Sequence, residues 1–190
     1  MLIVAVMNGW SASVRRRETR TARMVREFLV GGGIEFKFLA RRSMLLMSRC
    51  RKFRRYILKH NSPDNELLVV GKSLGGKNLV KGVLNELPKL KYRRTALLTL
   101  DPCWPISTDL RPNLSLRGCT LKLTHPVGCV INVYIEDPDP DAQTGARLVG
   151  DPAILNWPLS SEYDHFSIVN SDAAFDALTM TVTYLLKGRT

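Results

Sequence analysis

The stretch that most constrains this chain is Leu67-Leu68-Val69-Val70-Gly71-Lys72-Ser73-Leu74-Gly75-Gly76. An unbroken apolar run stops at a glycine. A serine follows two residues later, then two more glycines, then a helical pattern. This reads as strand, sharp turn, helix, with a hydroxyl at the tip of the turn. Gly71-Lys72-Ser73-Leu74-Gly75 fits the pattern G-x-S-x-G. The reason for the pattern is steric: a serine held in a strained backbone conformation needs neighbours two positions away that carry no bulk. Two other readings compete. Gly71-Lys72-Ser73 could close a phosphate-binding loop, but that motif needs a glycine at position 66, where Glu66 stands, and Leu67 to Val70 reads as a buried strand. The stretch could also be a glycine-rich turn with an incidental serine. The rest of the chain decides between them.

On either side of this stretch the pattern alternates. Leu2 to Met7 is a continuous apolar run, as expected of a strand buried on both faces and not of a signal peptide. Val14 to Val30 reads as a helix with Ala22, Val25, Phe28 and Leu29 on its apolar face, stopped by Gly31-Gly32-Gly33. Ile34 to Leu39 is a second strand. Ser43 is a candidate cap for a helix through Leu46, Cys50, Phe53 and Ile57. Lys77 to Leu87 is the helix after the serine, and Thr95 to Leu100 the next strand, closing on Asp101-Pro102. Leu121 to Leu123 is a short extended piece, and Val130 to Ile135 a strand running into the acidic tract 136–141. Residues 142–164 read as loop. Asp172 is the expected cap of a final helix through Leu186, with Phe175, Leu178, Thr179, Val182 and Leu185 or Leu186 facing the core. Strands alternating with helices predict an α/β fold: a mainly parallel central sheet of about five strands with helices on both faces. One domain over residues 1–190 is the expectation.

The net charge of +11 is regional. Residues 15–59 hold 15 of the 28 Lys and Arg but three of the 17 acids, a surplus of twelve, and the remainder of the chain carries −1. A solvated helix face accounts for this as well as attraction to an anionic surface or substrate does. Few aromatics are interleaved (Phe28, Phe53, Tyr56), and the apolar positions are needed for the core, so nucleic acid ranks lowest as a partner. Cys50, Cys103, Cys119 and Cys129 show no C-x-x-C spacing, which points to reduced thiols and not to a disulfide framework or a metal site. No run is long enough for a membrane span, so a cytoplasmic location is expected.

A serine nucleophile needs a base within hydrogen-bond reach and an acid to orient that base. Of three histidines, His60 ends a basic helix, where the helix C-terminus gives it a structural role. His125 lies in an extended stretch before Pro126. His165, in the polar segment Ser161-Glu162-Tyr163-Asp164-His165-Phe166-Ser167, sits late in the chain and before the last helix, and is the candidate base. Two carboxylates follow strands: Asp101, in the clean strand end Leu98-Thr99-Leu100-Asp101-Pro102, and Asp137, inside the acidic run. Asp101 is favoured and Asp137 stays open; Asp164 reads as a turn residue. The N–H of Leu74 would face a developing oxyanion. A second donor would come from the loop Asn8-Gly9-Trp10-Ser11, at Gly9 or Trp10, although Trp10 could equally be a pocket wall.

With these residues in view, the chain resembles the α/β-hydrolase superfamily, and within it the small lipase- and esterase-like members. The resemblance spans nearly the whole chain and rests on the Asn8-Gly9-Trp10 loop, Gly71-x-Ser73-x-Gly75, Leu100-Asp101-Pro102, Asp164-His165 and the terminal helix, in the order Ser, Asp, His. It implies Ser73 as nucleophile, His165 as base and then acid, and a carboxylate partner whose place at Asp101 is similar to that in pancreatic-type lipases. It implies hydrolysis of a small-molecule carboxylic ester through an acyl-enzyme, with no cofactor or metal. Thioesterase, amidase and transacylase activities would use the same residues, and a binding protein could keep the fold without the chemistry. Departures are expected: Asn8-Gly9 stands where His-Gly is usual, Met1 already begins a buried strand where the family would place two antiparallel strands first, and little room is left for a cap of helices. An open, shallow site is expected.

Overall fold

The computed structural model describes residues 1–9, 19–42, 47–102, 120–136, 145–150, 154–160, 162–163 and 167–188. The order of elements is β1 (Leu2–Asn8), α1 (Arg20–Gly31), β2 (Phe36–Arg42), α2 (Met47–Lys59), β3 (Glu66–Lys72), α3 (Leu74–Gly82), β4 (Arg94–Leu100), β5 (Thr120–Leu123), β6 (Cys129–Ile135), β7 (Arg147–Gly150), β8 (Ile154–Leu159) and α4 (Asp172–Leu186). Single 3-10 turns lie at Leu84–Glu86 and Ser167–Asn170. Six strands form one all-parallel sheet in the order β2-β1-β3-β4-β6-β8.

Each central strand is apolar on both sides because both sides are covered. Leu2, Val4 and Val6 of β1 pack with Ala22, Val25 and Leu29 of α1 and with α4. Ile3, Ala5 and Met7 pack on the opposite face with Phe53 and Ile57 of α2 and Leu79 and Val80 of α3. The direction of winding explains this split. The chain moves outward from β1 to β2 over α1, then returns past β1 to β3 over α2 and onward to β4 over α3. One handedness for all crossovers requires the reversal of direction to be matched by a change of face. The reversal falls between β1 and β3, whose carboxyl ends flank the crevice where such sheets bind ligands.

Several expectations shift. The sheet has six strands, not about five, because β8 was read as loop. Its Asn156 and Pro158 break the apolar pattern, yet proline is tolerated on an edge strand, and β8 is an edge. Instead of loop, residues 147–150 form β7, which pairs in parallel with β5 as a second, two-stranded sheet. This small sheet, with Ala146 just before β7, contributes Leu121, Leu123 and Leu148 to the core on the α2/α3 face. Its two strands come from the connections β4–β6 and β6–β8, so these connections help to cover that face.

The helix after Ser73 starts at Leu74 and ends at Gly82, earlier than expected at both ends. Ser171, not Asp172, caps α4: its hydroxyl accepts from the Ala174 N–H at 3.1 Å. The buried positions of α4 are Ala174, Ala177, Leu178, Thr181, Val182 and Leu185, while Phe175 is 53% exposed. The alanines let the helix approach the sheet closely. That turns Phe175 outward, edge-on to Phe28 at 5.4 Å. Residues 14–18 and Ser43 lie outside the described residues. Cys50 and Cys129 are free thiols. Among the described residues no helix is long and apolar enough to cross a membrane.

Candidate active site

Ser73 stands where the N-cap of α3 would stand, but it does not behave as a cap. Thr19 and Ser171, which cap α1 and α4, have extended backbones (φ −87°, ψ 157° and φ −75°, ψ 148°) and accept bonds from the first helical turn. Ser73 has φ 57°, ψ −137° and makes no side-chain cap bond. A non-glycine residue in this region costs about 1–3 kcal/mol and persists only where its surroundings fix it. Here the Ser73 N–H donates to Leu100 O at 3.0 Å, and its carbonyl accepts from Gly76 N at 2.9 Å and Lys77 N at 3.3 Å.

The surrounding glycines are required by space. A Cβ on Gly71 would fall 2.5 Å from Gly76 Cα, and one on Gly75 would fall 2.1 Å from Met7 O. The turn is therefore pressed against both its own strand and the end of β1. Gly9, just past β1, lies against the serine: a Cβ there would sit 2.6 Å from Ser73 Oγ and 3.2 Å from Leu74 N. Gly9, Ser73 and the first N–H of α3 thus meet at the reversal point of the sheet. The N–H of Leu74 belongs to the helix end that attracts negative charge. Beside it, Asn8 Oδ1 is a buried acceptor with no hydrogen-bond partner.

Asp101 occupies the corresponding place on the neighbouring strand. β3 and β4 pair in register up to Lys72 and Leu100, so Ser73 and Asp101 follow adjacent strand ends. Asp101 has φ 47° and is fully buried. Among the described residues, Ser73 and Asp101 are the two non-glycine residues with positive φ. The Asp101 N–H donates to Val133 O at 2.7 Å, and its Oδ1 accepts from the Ile135 N–H at 3.2 Å. Gly145 packs directly on the carboxylate, since a Cβ there would lie 2.2 Å from Oδ1.

His165, Trp10, Asp137 and Asp164 lie outside the described residues. The other two histidines are at the opposite edge of the sheet. The His60 carbonyl accepts from Asn65 Nδ2, beside the start of β3. His125 precedes β6, and its N–H donates to Asn85 Oδ1 at 3.3 Å. A seven-residue strand, about 23 Å long, separates that edge from Ser73. A groove of about 860 Å³ between α1 and α4, with Arg20, Arg23, Phe28 and Phe175 in its walls, does not include Gly9, Ser73, Leu74 or Asp101.

Two features of the site were not read from the sequence. Lys77, one turn into α3, is buried, and its amine is pushed down to about 7, first by burial and then by the charge of Lys81. Its i,i+4 relation to Ser73 was the available signal, but a lysine on a helix ordinarily reaches solvent. The Gly145 segment above Asp101 sits in a region whose polar composition reads as loop. No sequence signal pairs it with the carboxylate.

No protein-family model matches the chain, and no curated protein sequence matches it. A solved structure, ClbQ from the colibactin NRPS/PKS pathway, is similar over 98% of each chain, with 13% identity and a TM-score of 0.46. So distant a likeness does not bear on the chemistry. The chain is an α/β protein with a six-stranded all-parallel sheet, and what it does has to be argued from the site.

Proposed function

We propose that the protein is a serine hydrolase that cleaves carboxylic esters through an acyl-enzyme, on the α/β-hydrolase plan its sequence resembles. The observation that carries this reading is the pair of strained non-glycine residues, Ser73 and Asp101, at the carboxyl ends of adjacent parallel strands. Strain of this kind concentrates at functional sites. Gly9 against the serine hydroxyl supports the oxyanion loop of the same reading.

In the reaction, Ser73 Oγ attacks the acyl carbonyl while His165 takes its proton. Asp101 orients the imidazole and stabilises its cation. The oxyanion is held by the N–H of Leu74 and by that of Gly9 or Trp10. The intermediate collapses as His165 returns the proton to the departing alcohol. Water, deprotonated by His165, then attacks the acyl-serine and releases the carboxylic acid and free Ser73. Asp101 is preferred to Asp137 as the acid because it is buried and fixed next to the serine's strand. A thioester would serve the same residues, with a thiol leaving in place of the alcohol.

The test is a panel of oxygen esters and thioesters of graded acyl length, run with the wild type and Ser73→Ala. The expected result is hydrolysis by the wild type and a loss of at least about a thousandfold in Ser73→Ala. Full activity in Ser73→Ala, or no hydrolysis of any member, would overturn the reading.

A further inference from the structure

A line of hydrogen-bonded polar side chains, two of them fully buried, crosses three strands on the face that carries the second sheet. Thr99 of β4, Asn132 of β6 and Asn156 of β8 are in register with one another. Thr99 and Asn132 are fully buried. Polar groups in such a place cost free energy unless each is hydrogen-bonded. Here they are. Thr99 Oγ1 donates to Asn132 Oδ1 at 2.6 Å, and Asn132 Nδ2 donates to Asn156 Oδ1 at 2.9 Å. Asn156 Oδ1 also accepts from Leu148 N, and Asn156 Nδ2 donates to Leu148 O, both at 2.9 Å. Asn132 Nδ2 donates as well to Ala146 O at 3.1 Å.

The bonds therefore end on the backbone of residues 146–148. This segment is tied in turn to the end of β4, because Ala146 N donates to Pro102 O at 2.7 Å. The residue before it is Gly145, which packs on the Asp101 carboxylate. An apolar ladder would satisfy the sheet at lower cost, but it would offer nothing to hold the 146–148 backbone. We infer that Thr99, Asn132 and Asn156 are positioning residues, forming a side-chain clamp that holds the Gly145–Leu148 segment over Asp101 and fixes its carboxylate. The inference rests on the serine-hydrolase reading, in which Asp101 orients the base.

The experiment uses the full chain with Asn132→Leu, close to isosteric and apolar, and Thr99→Val, which removes one hydroxyl. Three quantities are read: amide exchange at Ala146, fluorophosphonate labelling of Ser73, and the pH profile of ester hydrolysis. In Asn132→Leu the Ala146 amide should exchange at least about tenfold faster as the segment loosens. The kcat should fall about ten- to a hundredfold at nearly unchanged KM, as expected of misplaced machinery. The acid limb of kcat/KM should move to lower pH, because a carboxylate out of place stabilises the imidazolium less. A merely structural loss would lower Tm without moving that limb. Thr99→Val should show the same shifts at smaller size, and it decides the matter if Asn132→Leu does not fold. A folded variant with wild-type exchange at Ala146 and a wild-type pH profile would overturn the clamp alone. A wild type that hydrolyses no ester and is not labelled at Ser73 would overturn the hydrolase reading, and this inference with it.

Discussion

Ser73 and Asp101 show how a single residue can be legible in one respect and hidden in another. The identity of Ser73 as a turn residue was readable because its strain leaves a trace: glycines at 71 and 75, where side chains would strike Gly76 and Met7. The strain at Asp101 leaves no such trace, because the residue that makes room for it, Gly145, is 44 positions away. The backbone strain at Ser73 can be measured directly. Alanine keeps the cost of φ 57°, while glycine relieves it. Ser73→Gly should therefore be more stable than Ser73→Ala by about 1 kcal/mol, even though glycine gains entropy in the unfolded chain. Urea unfolding of the two variants checks this, and equal midpoints at equal slope would mean that the turn is not strained.

At the scale of elements, periodicity gave α1 to α4 and β1 to β6 but not all of their ends, and it missed β7 and β8. The cap of α4 is an example. The sequence reads Asp172 as the cap, and the backbone gives that position to Ser171 beside it. The Ser171 hydroxyl accepts from Ala174 N at 3.1 Å and donates to Ile168 O at 2.7 Å. Ser171→Ala should cost about 1 kcal/mol, and Asp172→Asn, which removes only a charge from the first turn, a few tenths. Thermal melts of both variants test the assignment. The connection between β5 and β6 makes a pH prediction. His125 is buried, its Nε2 has no hydrogen-bond partner, and burial pushes its pKa down, offset in part by a hydrogen bond with the backbone of Leu87. A folded pKa below the unfolded 6.5 means that the unfolded chain takes up the proton first. The stability is present above pH 6.5 and is lost as pH falls toward the lower folded value. His125→Leu should flatten the fall in Tm between pH 7 and pH 5; an unchanged slope would contradict the burial argument.

At the scale of the molecule, the central strands were legible because burial on both faces writes continuous apolar runs, as in Leu67 to Val70. The far side of the sheet was not. Strand β8 carries Asn156 because that residue ends the clamp, and Pro158 because an edge strand tolerates it, and both features imitate a loop. The second sheet is too short for its period to be read: β5 and β7 have four residues each. The part of the site that could be read, Gly9 and Ser73, directly follows continuous apolar strands near the reversal point. The part that could not, Gly145 above Asp101, depends on contacts between distant segments.

The central proposal is that Ser73 is a nucleophile activated by its surroundings. The most direct test is treatment of the native protein with a fluorophosphonate probe, followed by intact mass and peptide mapping. The expected result is one covalent adduct, located on Ser73, absent in Ser73→Ala and strongly slowed in Asp101→Asn. No adduct on the folded wild type, or an adduct on another serine that persists in Ser73→Ala, would contradict it.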